Sequence, residues 1–165
     1  MTDPGFSFCE AFDPAIDTWR EIAPMPTPRF ASAAVVLGDR ILVLGGAGLR
    51  AEGVKNFDVV ESYDLRMDRW IEAGFRLPWR AAGAGACTRN NRLYIAGGNS
   101  GDRIENRITC YDPDRNQWTE LAPLETGRIV MGMIPIGDTL YLIGGRGADG
   151  KTPLDSVDAF RIIHH

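Results

Sequence analysis

The sequence predicts an all-β chain in which one unit of four short antiparallel strands recurs, and three observations predict it. Three glycine pairs, Gly45-Gly46, Gly97-Gly98 and Gly144-Gly145, stand 52 then 47 residues apart. Three tryptophans, Trp19, Trp70 and Trp118, stand 51 then 48 apart. Three arginines, Arg29, Arg80 and Arg128, keep the spacing of the tryptophans. A period near fifty held by separate landmarks marks a repeat architecture, whose units bury their apolar faces against one another.

One period reads as follows. Strand one covers residues 31–37. Gly38-Asp39 turns it back onto strand two, residues 40–45. The matching turns are Asn90-Asn91 and Gly137-Asp138, residue types that tolerate the positive φ of tight hairpins. Strand two is a continuous apolar run, Ile41-Leu42-Val43-Leu44, repeated as residues 93–96 and 140–143. A sheet open to water on one side would alternate, so the run means a sheet covered on both faces. The glycine pair ends strand two and permits close backbone approach. A loop over residues 47–57 leads to strand three, residues 58–64. A turn at residues 65–68 leads to strand four around Trp70; Asp13-Pro14 and Asp112-Pro113 suit that turn, since proline presets φ. An aromatic-Asp pair precedes each tryptophan: Phe12-Asp13, Tyr63-Asp64 and Tyr111-Asp112.

Gly-Gly after an apolar strand, then Tyr-Asp, then Trp about seven residues on, at a period near fifty, resembles the kelch repeat of β-propellers. Residues 111–128 followed by 140–145, and residues 19–46, carry the likeness best, and it spans residues 8–161. The Gly-His and Trp-Asp marks of WD40 propellers do not recur. The resemblance implies kelch-type blades of four antiparallel strands. It also implies that Tyr63 with Trp70, and Tyr111 with Trp118, pack between blades. Phe12 with Trp19 departs by lacking the phenol hydroxyl, and Phe160 holds the matching place with no tryptophan after it.

The chain reads as a single kelch-repeat domain over residues 1–165: a partial blade at 8–23, blades at 29–75 and 80–123, and a partial blade at 128–163. Propellers close with four to eight blades. About three are present, so one chain makes an incomplete ring. It is either part of a longer protein or half of an assembly. Six blades are common among kelch proteins, and a homodimer would supply six. Strand three then occurs at both ends, residues 9–12 and 157–160, and two copies compete for one place.

Composition narrows the function. Net charge is −4 with no basic run, so nucleic-acid binding lacks its electrostatic footprint. No apolar stretch is long enough to span a bilayer, and the first dozen residues lack a signal peptide's basic and apolar regions. Cys9, Cys87 and Cys110 are an odd number and far apart, which suggests buried thiols in a reducing compartment, and a cytoplasmic location. Both histidines, His164 and His165, are terminal and read as a tail. Without histidine elsewhere, Ser-His-Asp or Cys-His catalysis has no base. The commonest zinc and copper ligand is missing too, including the ligands that kelch-like copper oxidases require. No catalytic residue, metal site or cofactor is expected.

Two groups of residues are binding candidates. Arg29, Arg80 and Arg128 could form a ring of guanidiniums clamping carboxylates or phosphates, or could brace the blades. The loops after the glycine pairs vary between repeats: residues 47–50 with Arg50, residues 99–103 with Asn99, Ser100 and Arg103, and residues 146–151 with Arg146. In kelch substrate adaptors such loops read acidic peptides. Glu52, Glu61, Glu72, Glu105 and Glu120 read as surface or blade-edge charges. The resemblance favours a module that binds a protein or peptide partner. A carbohydrate-binding or sialic-acid-isomerising enzyme, as in some six-bladed kelch proteins, is the alternative, and a structural fragment without a ligand is the third.

Overall fold

The computed structural model describes residues 6–162, and every element of regular structure in them is a β-strand. The N-terminal hairpin joins β1 (Cys9–Asp13) to β2 (Thr18–Ile22). The first full blade holds β3 (Ala33–Leu37) and β4 (Arg40–Leu44). A small hairpin, β5 (Ala47–Arg50) and β6 (Gly53–Asn56), interrupts it before β7 (Val60–Asp64) and β8 (Arg69–Glu72). The second blade comprises β9 (Gly85–Arg89), β10 (Arg92–Ala96), β11 (Ile108–Asp112) and β12 (Gln117–Glu120). The last sheet has β13 (Gly132–Ile136), β14 (Thr139–Ile143) and β15 (Val157–Arg161), with no fourth strand among the described residues. Both full blades run in the order one-two-three-four, all antiparallel.

The strands follow from their turns. Asn90 and Asn91 both take positive φ, whereas at the other two turns Gly38 and Gly137 do. These residue types reach that region at little cost, so each fixes the register of its hairpin. The expected loop over residues 47–57 is instead largely the β5–β6 hairpin, pairing Leu49 with Val54. Its turn at residues 51–52 carries no Asn-Gly or Asp-Gly signal; Gly53 at φ +115 closes it.

The core lies between blades. Val35, Leu42, Leu44 and Val60 of the first blade pack on Leu93, Ile95 and Tyr111 of the second. On its other face, Tyr94, Ala96, Ile108 and Cys110 pack on Met131, Met133, Leu140 and Leu142 of the last. Each large aliphatic buried this way contributes about 1.5–3 kcal/mol. This explains the unbroken apolar run of strand two: odd and even residues face different neighbours. Close approach at the centre needs the glycines. A Cβ on Gly45 would sit 2.3 Å from the Ala81 carbonyl oxygen, and one on Gly97 would sit 2.2 Å from that of Arg128.

Tyr63 and Tyr111 are buried with their partner tryptophan rings 5.2 and 5.1 Å away. Trp70 Nε1 donates to Ala23 O and Trp118 Nε1 to Arg76 O, so each ties its blade to the linker before it. Phe12 and Trp19 stack alike at 5.1 Å but stay exposed, Trp19 at 65%. His164 and His165 lie outside the described residues.

Candidate functional site

The three inter-strand loops form one connected face. Asn56, at the end of the β5–β6 hairpin, donates through Nδ2 to the Asn99 carbonyl at 2.8 Å and to Asn99 Oδ1 at 3.2 Å. Asn99 pairs with Ala82 on one side and Ile104 on the other, and its Oδ1 accepts from Gly101 N–H. Ile104 reaches the third loop, where a Cβ on Gly150 would lie 3.8 Å from Ile104 Cδ1. The first two loops are therefore joined by hydrogen bonds, and the third lies beside them.

Within this face the charges are arranged around a buried carboxylate. Glu105 is only 2% exposed. Arg107 grips it through Nε–Oε2 and Nη2–Oε1, both 2.9 Å, and Arg103 reaches Oε2 at 3.1 and 3.2 Å. Burial pushes the Glu105 carboxyl up, but hydrogen bonds from Arg107, Arg103 and Ser100 outweigh it and hold its pKa below the usual range. Arg107 lies 4.5 Å over the Trp79 ring. Arg103, Arg107 and Glu105 together carry one net positive charge, presented by the exposed Arg103 and partly offset by its neighbour Asp102. Ser100, also buried, shapes the turn with its Oγ on the Arg103 carbonyl.

Arg50 is exposed and folds over Phe57 at 5.1 Å. Arg146 is exposed and its backbone pairs with Ile129 and Pro153. The loop beyond it is ordered by Asp149, which accepts from the Thr152 hydroxyl and from the Thr152 and Lys151 N–H groups, drawing its pKa down to about 2.

The repeated arginines do not form a ring. Arg29 and Arg128 are each 2% exposed. Arg29 donates to the carbonyls of Thr27 and Gly45 and meets Glu61 at 2.6 Å, off the N–H direction. Burial lowers its pKa, and Glu61 opposes that shift. Arg128 donates to Gly144 O, Ser156 Oγ and Asp158. Arg80 is exposed and belongs to a different position. The backbone pairs Phe30 with Ala47, Ala82 with Asn99 and Ile129 with Arg146, so the residue matching Arg29 and Arg128 is Ala81. Trp79 fills the gap, donating from Nε1 to Gly97 O at 3.0 Å.

Glu61 and Glu105, expected as surface or blade-edge charges, are both buried. Trp79, Arg107, Asn56 and Phe57 went unnoticed. For Glu105 a signal exists: Arg103 and Arg107 flank it at two-residue spacing, the period of an extended chain. A cleft of about 820 Å³ is lined by Pro26, Thr27, Glu61, Trp70 and Phe75. Two of its polar side chains are engaged, Thr27 with Glu61 and Trp70 with Ala23.

The family described as "KLHDC2/KLHL20/DRC7 Kelch-repeats domain" matches residues 6–145. The chain belongs to the kelch-repeat family. Human Kelch-like protein 23 is 32% identical over 92% of this chain and 26% of its own length. Zebrafish (Danio rerio) Kelch-like protein 41a is 28% identical over 90% and 24% respectively. This kelch chain thus spans about a quarter of these relatives. The solved structure of YjhT superposes with a TM-score of 0.80 at 19% identity, over 98% of this chain and 64% of that one, and shows the same propeller-blade fold. Among the described residues no helix is long and apolar enough to cross a membrane.

Proposed function

We propose that this kelch chain is an interaction module whose loop face binds a protein or peptide carrying carboxylates. The observation that supports the reading is the connected face itself. Blades hold three neighbouring loops, and Arg50, Arg103 and Arg146 stand exposed on them. Arg103 is held in place by the buried Glu105, so little side-chain freedom is lost when it meets a carboxylate bidentately. Asn99 and Asn56 set the spacing between loops. The family's Kelch-like relatives fit a binding role. The three cysteines are free, which suits a cytoplasmic setting. A second copy of the chain is a further partner, argued below.

The test is a panel of fluorescent twelve-residue peptides, acidic and neutral, titrated against the chain and against Arg103→Ala and Arg50→Ala. Acidic peptides should bind, and each variant should weaken them at least tenfold; Arg50→Ala, at an exposed site, should do so without moving the melting temperature. Equal binding of neutral and acidic peptides, or variants that bind as the parent does, would refute the reading.

A further inference from the structure

The two blade junctions within the chain are built alike. At the first, Ala81 N donates to Phe57 O, Gly46 N to Ala81 O, and Gly83 N to Ala31 O. At the second, Arg128 N donates to Glu105 O, Gly98 N to Arg128 O, and Val130 N to Gly83 O. Beyond the last sheet the same groups stand ready. Among the described residues, Gly145 N has no acceptor, and the Leu154 and Val130 carbonyls receive no N–H. Gly144 keeps φ +60, like Gly45 and Gly97, yet a Cβ there would meet only Leu154 O at 3.5 Å. The space cleared for a following linker is unfilled.

The side chains agree. The positions that carry the first blade's half of the core are Val35, Leu37, Leu44 and Val60. Register pairs place Ile134, Ile136, Ile143 and Val157 at the same positions of the last sheet. They are 48%, 64%, 43% and 57% exposed, a strip of large aliphatics with no blade packed over it among the described residues. At the opposite end, the outer face of β3 leaves Val36 58% exposed, and Ala31 N has no acceptor among the described residues.

We infer that two copies of this chain close head to tail into a six-bladed ring, each lending β2 as the fourth strand of the other's last blade. In that junction Ile134 and Ile136 face Ala34 and Val36 of the second copy. The linker at Arg29 takes the place that Ala81 and Arg128 hold at the internal junctions. The occupant follows from this match: each end of the chain is the complement of the other, by the same bonds and the same kind of apolar face. The competition between the two third strands is also resolved. β15 pairs with β14 along five residues, and its Asp158 receives Arg128. β1 pairs only with β2, while residues 6 and 29 join through a single bridge. Exchanging β1 for β15 keeps the strand-four pairing of β2, with Trp19 opposite Phe160 and Arg20 opposite Ala159. Displacing β15 would break the sheet and strand a buried guanidinium. The inference stands independently of the loop-face reading.

Sedimentation of the full chain at micromolar concentration should give twice its mass of 18.1 kDa. Ile134→Asp should return it to one. In a Cys9→Ser background, Ala159→Cys with Arg20→Cys should yield an inter-chain disulfide on a non-reducing gel, and neither cysteine alone should. A monomeric parent chain overturns the inference. So does a dimer indifferent to Ile134→Asp, a dimer without the cross-link, or an open-ended polymer.

Discussion

The carbonyl of the first glycine in each pair needs a donor, and the chain meets that need in two ways. Arg29 serves Gly45 at 2.9 Å, Arg128 serves Gly144 at 3.3 Å, and Trp79 serves Gly97 at 3.0 Å. The facing residue on strand three changes in step. It is Glu61 or Asp158 where a guanidinium must be neutralised, and Thr109 where none is present. Truncating Arg29 leaves the Glu61 carboxylate buried without its counter-charge, with only the Thr27 hydroxyl still donating to it, so Arg29→Ala should lose about 3–5 kcal/mol. Arg80→Ala, at an exposed site, should stay within about 0.5 kcal/mol. Denaturant midpoints decide both. The sequence hid this difference because Arg80 shares the spacing of the tryptophans. The glycine pairs, 52 then 47 apart, point to Ala81 instead. Equivalence is set by backbone pairing, and a one-residue offset separates a buried brace from a surface charge. Glu105 permits a pH test. Its folded pKa lies below the unfolded value, so its stabilisation is present above the unfolded pKa and is lost as pH falls through the folded one. Glu105→Gln should therefore lower the midpoint at pH 7. The gap to the parent chain should narrow as pH drops below about 4, the unperturbed range of a glutamate. A gap constant from pH 7 to pH 3 would show that Glu105 is not ionised in its pocket.

At the level of strands, the tight turns and apolar runs were legible because both depend on local residue type. The β5–β6 hairpin was not, since no strong turn pair marks it and the matching loops of later blades form only isolated bridges. The loop face was half legible. Variation between repeats singled out Asn99 and Arg103, but the contacts joining loops, such as Asn56 to Asn99, span 43 residues and leave no local trace. Strand four illustrates how a repeated residue serves its element. Trp70 and Trp118 each stack on a buried tyrosine and bond the preceding linker. Phe75, from that same linker, stacks on Tyr111 at 3.9 Å and meets Trp118 edge-on. Trp70 and Trp118 are half-buried, so Trp70→Ala and Trp118→Ala should each lose roughly 2–3 kcal/mol, below the cost of truncating a fully buried aromatic. Unchanged urea midpoints would show that these rings lie outside the core.

For the whole molecule, stability and assembly are linked. A strip of exposed aliphatics at one end and an unpaired strand edge on β15 favour association over a lone arc. If the folded state is a ring of two copies, unfolding releases two chains, and the melting temperature must rise with protein concentration. Trp19 makes the sharpest probe of this. In one copy it is 65% exposed and stacks only on Phe12. In the ring it lies across from Phe160 of the second copy, in the place Trp70 and Trp118 hold in complete blades. Trp19→Ala should therefore leave the chain's strand content unaltered. It should raise the concentration needed for a given melting temperature by ~100-fold, the equivalent of truncating a half-buried tryptophan. Scanning calorimetry across a hundredfold range of concentration, on the parent chain and on this variant, reads the effect directly. A melting temperature that ignores concentration in both proteins would mean that the arc is stable by itself, with Trp19 a surface residue.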